Sequence, residues 1–205
     1  MLFPLNLKLF VLSLSVFLSS MLFAQMIDIH AFNSRYFDQM LFRTLNAYRK
    51  EQKIDTLLFS DVLYHKLSKV QIQKMMASNT LLHYPYDMDT LYPAIADESD
   101  KKYGGKVLRN YFGETTYKSI SEIILYDELR PGDSITYEQL ARESIARWHR
   151  SSGHQWLMSF VYESQGIGGL ASCATGIRNR RVYCCCNFTE LSRVKNRKEE
   201  PITAK

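Results

Sequence analysis

The chain has 205 residues, of which 46% are hydrophobic and 13% aromatic, and it carries a formal net charge of +5. This length indicates one domain with tails, and the apolar content is sufficient for a packed core. The positive charge is too mild to require a polyanionic partner, and no nucleic-acid-binding motif accompanies it, which argues against DNA or RNA as a partner.

The first 25 residues have the pattern of a secretory signal peptide. Lys8 is their only charged residue, residues 9–23 are apolar apart from serines, and Ala24 supplies a small residue at the expected cleavage point. The apolar core is shorter than the roughly 20 residues of a membrane span, although an uncleaved anchor is an alternative. Removing Lys8 lowers the net charge by one, from +5 to +4. We expect a secreted, periplasmic or extracellular protein whose mature form has no stable membrane span.

Two helices are predicted in the first half of the mature chain. Ser34 can cap a helix over residues 34–51, whose apolar side chains recur with a helical period. Ser60 can cap a second helix over residues 60–78. Residues 79–113 contain prolines and paired glycines and are predicted to be mostly irregular. A loop this long in a compact domain is often functional.

A third helix is predicted over residues 119–129, where isoleucines recur. Thr136 and Gln139 match the capping-box pattern, which marks the start of a fourth helix. Gly153 is predicted to end that helix, and residues 154–160 can add one further turn.

The remaining sequence predicts a terminal β-hairpin and a tail. Residues 165–173 and 181–188 have the composition of two antiparallel strands, joined around residues 174–180. Residues 190–205 are basic and polar and are predicted to be disordered. Helices that flank a hairpin must cover a sheet, so residues 34–189 are predicted to form one layered α+β domain.

The four cysteines all lie near the carboxyl end of the chain. On a strand, Cys184 and Cys186 would face one side and Cys185 the other. In an exported protein Cys173 can form a cross-strand disulfide with one of these three, with Cys184 and Cys186 as the main candidates. The alternative is that all four are free, buried thiols. Three adjacent strand residues cannot converge on one zinc ion, so a cysteine zinc site is not expected.

Five short motifs, in one order, resemble the CAP superfamily, which includes cysteine-rich secretory proteins, antigen 5 and plant pathogenesis-related proteins. The resemblance is greatest to the bacterial, SCP-like type and covers about residues 36–189. The motifs are Asn46-x-x-Arg49, Leu82-His83, Gly113-Glu114-Thr115, Trp148-x-x-Ser151-x-Gly153-His154, and the pair Gly166-Ile167-Gly168 with Asn187-Phe188.

The resemblance implies a three-layer α-β-α sandwich with a small antiparallel sheet, and a central cleft that holds His83, Glu114 and His154. Two neutral imidazoles and a carboxylate can bind Zn²⁺ or another divalent cation and leave a position open for water. Without metal, the same groups could share protons. Ser151 and Asn46 are the other predicted cleft residues.

The sequence departs from the family pattern at two positions, and each candidate also has a structural interpretation. Ser151 stands where many eukaryotic members have a second Glu, and Thr115 replaces an Asn. His154 could cap the preceding helix, His83 could be a surface residue, and Glu114 could stabilise a helix start. Asn46, like Arg49, could tie the first helix to a loop.

Three functions therefore stay open, and catalysis is undecided. The first is a binding module for a small ligand, peptide, lipid or cell-envelope glycan, which acts as a monomer and holds a divalent cation as an option. The second is a metal-assisted secreted hydrolase related to peptidases. The third is a structural protein whose basic residues 178–198 contact anionic envelope polymers. Function does not follow from the fold alone.

Overall fold

The computed structural model describes residues 25–102, 117–160 and 169–191. Most of the predicted signal peptide, Glu114, the glycine motif at 166–168 and most of the predicted tail therefore lie outside the described residues. The helices are α1 (Ser34–Glu51), α2 (three consecutive segments, Asp61–Leu63, Tyr64–Ser68 and Lys69–Ser78), α3 (Met88–Lys102), α4 (Tyr137–His149) and α5 (Ser152–Ser159). The strands are β1 (Leu58–Phe59), β2 (Tyr117–Glu128), β3 (Leu170–Arg178) and β4 (Arg181–Leu191).

The strands form one sheet with the order β1-β3-β4-β2. The β2-β4 and β3-β4 pairs are antiparallel, whereas β1 runs parallel to β3. Helices α1 and α4 pack on one face of the sheet, and α2 packs on the other. The predicted α-β-α layering is confirmed, with one parallel strand pair added to the antiparallel hairpin.

The prediction of a helix over residues 119–129 is wrong, because this segment is β2. Ile123 and Leu125 point into the core beneath α1 and α4, whereas Ile124 points into the core beneath α2. A strand buried on both faces has a continuous apolar run rather than an alternating one. Periodicity alone cannot distinguish such a run from a buried helix.

The stretch predicted to be irregular contains α3, even though Pro93 lies inside it. Leu91 and Ile95 are buried against α2. Glu98 accepts a hydrogen bond from the backbone N–H of Asp61 at 2.6 Å, at the start of α2. These tertiary contacts hold α3 in place despite the hydrogen bond that a proline removes.

The helix boundaries follow local capping chemistry. The capping box is confirmed: the Gln139 backbone N–H donates to Thr136 Oγ1 at 3.1 Å, and the Thr136 N–H donates to Gln139 Oε1 at 2.9 Å. The cap of α1 is Asn33 rather than Ser34. Helix α4 ends before Gly153, which lies inside α5, so the prediction that this glycine ends α4 is wrong.

The strands were predicted to be joined around residues 174–180. Most of this stretch is instead part of β3, which continues to Arg178. Asn179 and Arg180 form the turn, with positive φ angles of 51° and 65°, which is typical of tight two-residue hairpins. Gly176 marks close packing rather than a turn. A Cβ atom there would lie 2.7 Å from Ile72 Cγ2 of α2.

Helix α2 contains one wide π-helical turn at Tyr64–Ser68. Tyr64 donates a hydrogen bond to Asp38 of α1 at 2.6 Å, and Ser68 bonds to residues of the sheet. Both ends of the turn therefore make buried polar contacts.

Two polar residues of α1 tie the helix to neighbouring chain segments. The Asn46 carboxamide accepts a hydrogen bond from the Leu57 N–H at 2.8 Å and donates to the Leu57 carbonyl at 3.0 Å. Arg49 is only 1% exposed and donates to the carbonyl oxygens of Asp55 at 2.8 Å and Met158 at 2.7 Å. These contacts give both residues the structural role that the sequence offered as an alternative.

The predicted cross-strand disulfide is confirmed between Cys173 of β3 and Cys186 of β4, with an S–S distance of 2.13 Å. These residues are directly opposite each other in the strand register. Cys184 and Cys185 are free and buried on opposite faces of the sheet.

Removing the bridge with the paired substitutions Cys173→Ala and Cys186→Ala should lower the free energy of unfolding by about 2 kcal/mol. The bridge restricts the unfolded chain over a separation of 13 residues, and such short loops lie toward the lower end of disulfide stabilisation. Urea denaturation measures the loss. Cys184→Ala is the matched control, because this thiol is buried on the same face without a bridge. Equal losses per substituted residue would show that the bridge itself adds nothing.

Candidate functional site

A row of polar side chains crosses the α2 face of the sheet. Glu122 of β2 lies opposite Asn187 of β4, and Asn187 lies opposite Ser172 of β3. Ser68, at the end of the π-helical turn, lies over this row. The strand register therefore places three polar residues from three strands together, and Ser68 of α2 joins them.

In this row each side chain donates a hydrogen bond to the next, and the last acceptor is Glu122. Ser68 Oγ donates to Asn187 Oδ1 at 2.7 Å and lies 2.7 Å from Ser172 Oγ. Because Ser68 has one hydroxyl proton, Ser172 donates to it. Asn187 Nδ2 then donates to Glu122 Oε2 at 3.2 Å. The chain of bonds fixes the position of the Glu122 carboxylate.

His83 completes the row at its outer end. Its Nδ1 atom lies 2.6 Å from Glu122 Oε1. The His83 side chain is 60% exposed, whereas that of Glu122 is 6% exposed. The Gln71 side chain donates to the Leu82 carbonyl and so positions the segment that carries His83. A buried carboxylate therefore orients an exposed imidazole.

His154 lies on α5 and is half-buried. Its pKa is lowered by burial and by the charge that His83 carries when protonated. That the two imidazoles share one cleft stays a prediction. Ser151 precedes α5 and accepts a hydrogen bond from the Gln155 N–H at its carbonyl, at 2.8 Å, while its side chain makes no capping bond.

The carboxylate at this site is one that the sequence analysis missed. The predicted carboxylate was Glu114, which lies outside the described residues. Glu122 interrupts an isoleucine-rich run, and a charged side chain inside an apolar strand is a signal of function or pairing. The incorrect helix prediction hid that signal, because it did not place Glu122 beside Asn187.

The donor groups of the site are two imidazoles and one carboxylate with a thiol beside it. Burial raises the pKa of Cys185, and the nearby Glu122 carboxylate raises it further, so this thiol stays protonated and unreactive. Among the residues that the structure describes, no group of three His, Cys, Asp or Glu side chains is arranged to hold a metal ion. The predicted set of His83, Glu114 and His154 stays a prediction.

An exposed apolar side chain lies close in sequence to each of His83 and His154. Leu82 precedes His83 and is 52% exposed, while Trp156 follows His154 on α5 and is 60% exposed. Trp156 contacts Phe160 with ring centroids 4.9 Å apart. Large exposed apolar side chains next to polar groups are typical of binding surfaces.

The described part of the basic stretch stabilises the hairpin. Arg178 donates to the Ala77 carbonyl at 3.0 Å, and Arg180 donates to the Leu129 carbonyl at 2.7 Å. The guanidinium of Arg181 lies 5.1 Å from the centre of the Tyr126 ring. These three arginines thus make internal contacts. No helix in the described ranges has the length and apolar character to cross a membrane.

No protein-family model matches the chain, and no curated protein matches it significantly. Among solved structures, an outer surface protein of Borrelia burgdorferi matches with a TM-score of 0.50 and 13% identity, over 82% of this chain and 99% of that protein. A cysteine-rich secretory protein of Staphylococcus aureus matches with a TM-score of 0.43 and 14% identity, over 77% of this chain and 39% of that protein. An extracellular protein with an SCP domain from Bacillus anthracis gives a TM-score of 0.41 and 18% identity, over 77% and 41% of the two chains.

These identities are low, so the comparisons concern the fold alone. The Borrelia protein shares the arrangement of helices and sheet over nearly its whole length. Together with the observed layers, this confirms the predicted α-β-α fold.

Proposed function

We propose that this chain is an extracellular binding module of the CAP type whose ligand site is formed by His83, Glu122 and His154. The observation that carries the proposal is the 2.6 Å contact between His83 Nδ1 and Glu122 Oε1. A buried carboxylate that orients an exposed imidazole is an arrangement for binding rather than for packing. The predicted signal peptide at residues 1–25 supports an extracellular location.

We propose a divalent cation of the Zn²⁺ type as the ligand of the two imidazoles, with Glu122 positioning His83 rather than binding the ion. When His83 donates its Nδ1 proton to Glu122, its Nε2 atom keeps a free lone pair. Zinc-binding histidines commonly donate their other ring N–H to a carboxylate in this way. Burial favours the neutral form of His154, which is also the form that binds metal. Two imidazoles leave coordination positions for water and for the predicted third ligand, Glu114.

Zinc titration of the purified protein by calorimetry at pH 7.5 tests the proposal. We expect His83→Ala and His154→Ala each to lower the zinc affinity at least tenfold. Glu122→Gln, which removes the carboxylate that orients His83, should lower it about 10- to 100-fold. The affinity of the wild type should also fall below about pH 6, where imidazoles bind protons instead.

His30→Ala is the matched control, because His30 is an exposed residue in the segment that precedes α1. This variant should bind zinc as the wild type does. Zinc uptake that is equal in the wild type and in the His83 and His154 variants would contradict the cation site.

A further inference from the structure

A pocket of about 280 Å³ lies between α1 and the start of α2, and the polar row described above does not contribute to it. Arg35, Asp38, Phe42 and Arg43 line it from α1. The last three follow Arg35 by three, seven and eight residues, which places all four on one face of the helix.

Aromatic rings form the wall of the pocket. Phe42 and Phe59 meet edge to face with ring centroids 5.3 Å apart, and Phe59 and Tyr64 are 5.5 Å apart. Such a wall favours a flat apolar or aromatic group in contact with it.

The carboxylates of the pocket are compensated by other groups of the protein. Asp38 is 4% exposed and accepts hydrogen bonds from the hydroxyl groups of Tyr64 and Thr175, each at 2.6 Å. Asp61 lies at the rim, 3.7 Å from the ammonium group of Lys102. Neither carboxylate is therefore an unpaired negative charge facing the pocket.

Two arginines also line the pocket, and no carboxylate of the described residues pairs with either of them. Arg35 and Arg43 are exposed, and neither makes a hydrogen bond or ion pair with any of the residues that the structure describes. A guanidinium group binds carboxylates and phosphates through paired N–H donors. Two free guanidinium groups beside an aromatic wall select for negative charge on a flat molecule.

We propose that this pocket binds a small organic anion, with its aromatic or flat apolar body against Phe42, Phe59 and Tyr64 and its acidic group on Arg35 and Arg43. This site is separate from the imidazole site and does not depend on the proposed function. The same side chains would repel a cationic ligand of equal shape.

Titration of the full chain with 2-naphthoate tests the proposal. Calorimetry measures the affinity, and NMR chemical-shift changes show whether the pocket residues are affected. The matched probes are the neutral 2-naphthamide and the cationic 2-naphthylmethylammonium. We expect saturable binding of the naphthoate, at least tenfold weaker binding of the amide and no binding of the cation. Arg35→Gln and Arg43→Gln should each weaken naphthoate binding about tenfold, the effect of one charge-assisted hydrogen bond.

Arg130→Gln is the control, because Arg130 is an exposed arginine that does not line this pocket. It should leave naphthoate binding unchanged, as should His83→Ala. Three results would overturn the proposal: no saturable binding of the naphthoate, equal binding of the amide, or naphthoate binding that is unaffected by both pocket variants.

Discussion

Replacing Arg49 with methionine is expected to lower the free energy of unfolding by about 3 to 5 kcal/mol, as measured by urea denaturation. Methionine fills a similar volume but donates no hydrogen bond. The carbonyl groups of Asp55, Met158 and Phe160 would lose the donor that they share. A buried polar group left without a partner costs about 1 to 3 kcal/mol. The Asp55 residue is exposed to water, which limits the total.

Two further variants separate hydrogen bonding from charge. Arg49→Lys keeps the charge but lacks the forked donor geometry, so it should lose less stability than Arg49→Met. Lys50→Met changes the exposed neighbour on the same helix and should alter the free energy of unfolding by less than about 0.5 kcal/mol. A loss for Arg49→Met as small as that of Lys50→Met would show that water satisfies the three carbonyls.

When the pH is raised from 4 to 7, the free energy of unfolding of the wild type is expected to fall by about 3 kcal/mol more than that of Asp38→Asn. Burial raises the pKa of Asp38 from 3.8 to about 6, although hydrogen bonds from Thr175 and Tyr64 lower it in part. Between these pH values the folded state keeps a proton that the unfolded state has lost. The contribution of Asp38 to the free energy of unfolding is therefore greatest below about pH 4, and it is lost as the pH rises through about 6. A shift of about two pH units corresponds to about 3 kcal/mol.

Comparing the wild type with Asp38→Asn cancels the contributions of the other titrating groups. His154 has a lowered pKa and contributes with the opposite sign, but equally in both proteins. Tyr64→Phe removes a hydrogen bond that favours the charged form of Asp38, so the pH range of the loss should extend upward. Denaturation midpoints at four pH values between 4 and 7 measure these effects. Parallel profiles for the wild type and Asp38→Asn would contradict the raised pKa.

Local chemistry made part of the fold predictable from the sequence. The capping box of Thr136 and Gln139 acts within four residues, so the start of α4 could be predicted correctly. The cysteine pattern narrowed the partner of Cys173, because strand alternation puts Cys184 and Cys186 on one face and Cys185 on the other. Only the strand register then selects Cys186. Both features depend on short-range geometry that the tertiary structure did not override.

Tertiary burial decided the elements that the sequence analysis assigned wrongly. The isoleucines of β2 are buried on both faces, so their spacing carried no strand signal. Helix α3 contains Pro93 and depends on packing against α2. Gly176 lies within the connection predicted at residues 174–180, but it belongs to β3 at a point where α2 approaches closely.

The candidate site could be predicted only in part, for the same reason. Short motifs made His83 and His154 candidates, since each lies next to a recognisable helix end, and their role in a site stays a prediction. Glu122 could not be assigned, because its partner Asn187 is brought to it only by the register of β2 and β4. Pairing between distant strands is information that no local window of sequence contains.

The wide turn in α2 sets the rotational phase of everything that follows it along the helix. A π-helical turn takes up one more residue than an α-helical turn, which rotates the later side chains by about 100° relative to a regular helix. Tyr64 at one end of the turn serves the anion pocket, and Ser68 at the other end serves the polar row. One inserted residue thus lets a single helix contribute side chains to two separate places in the fold.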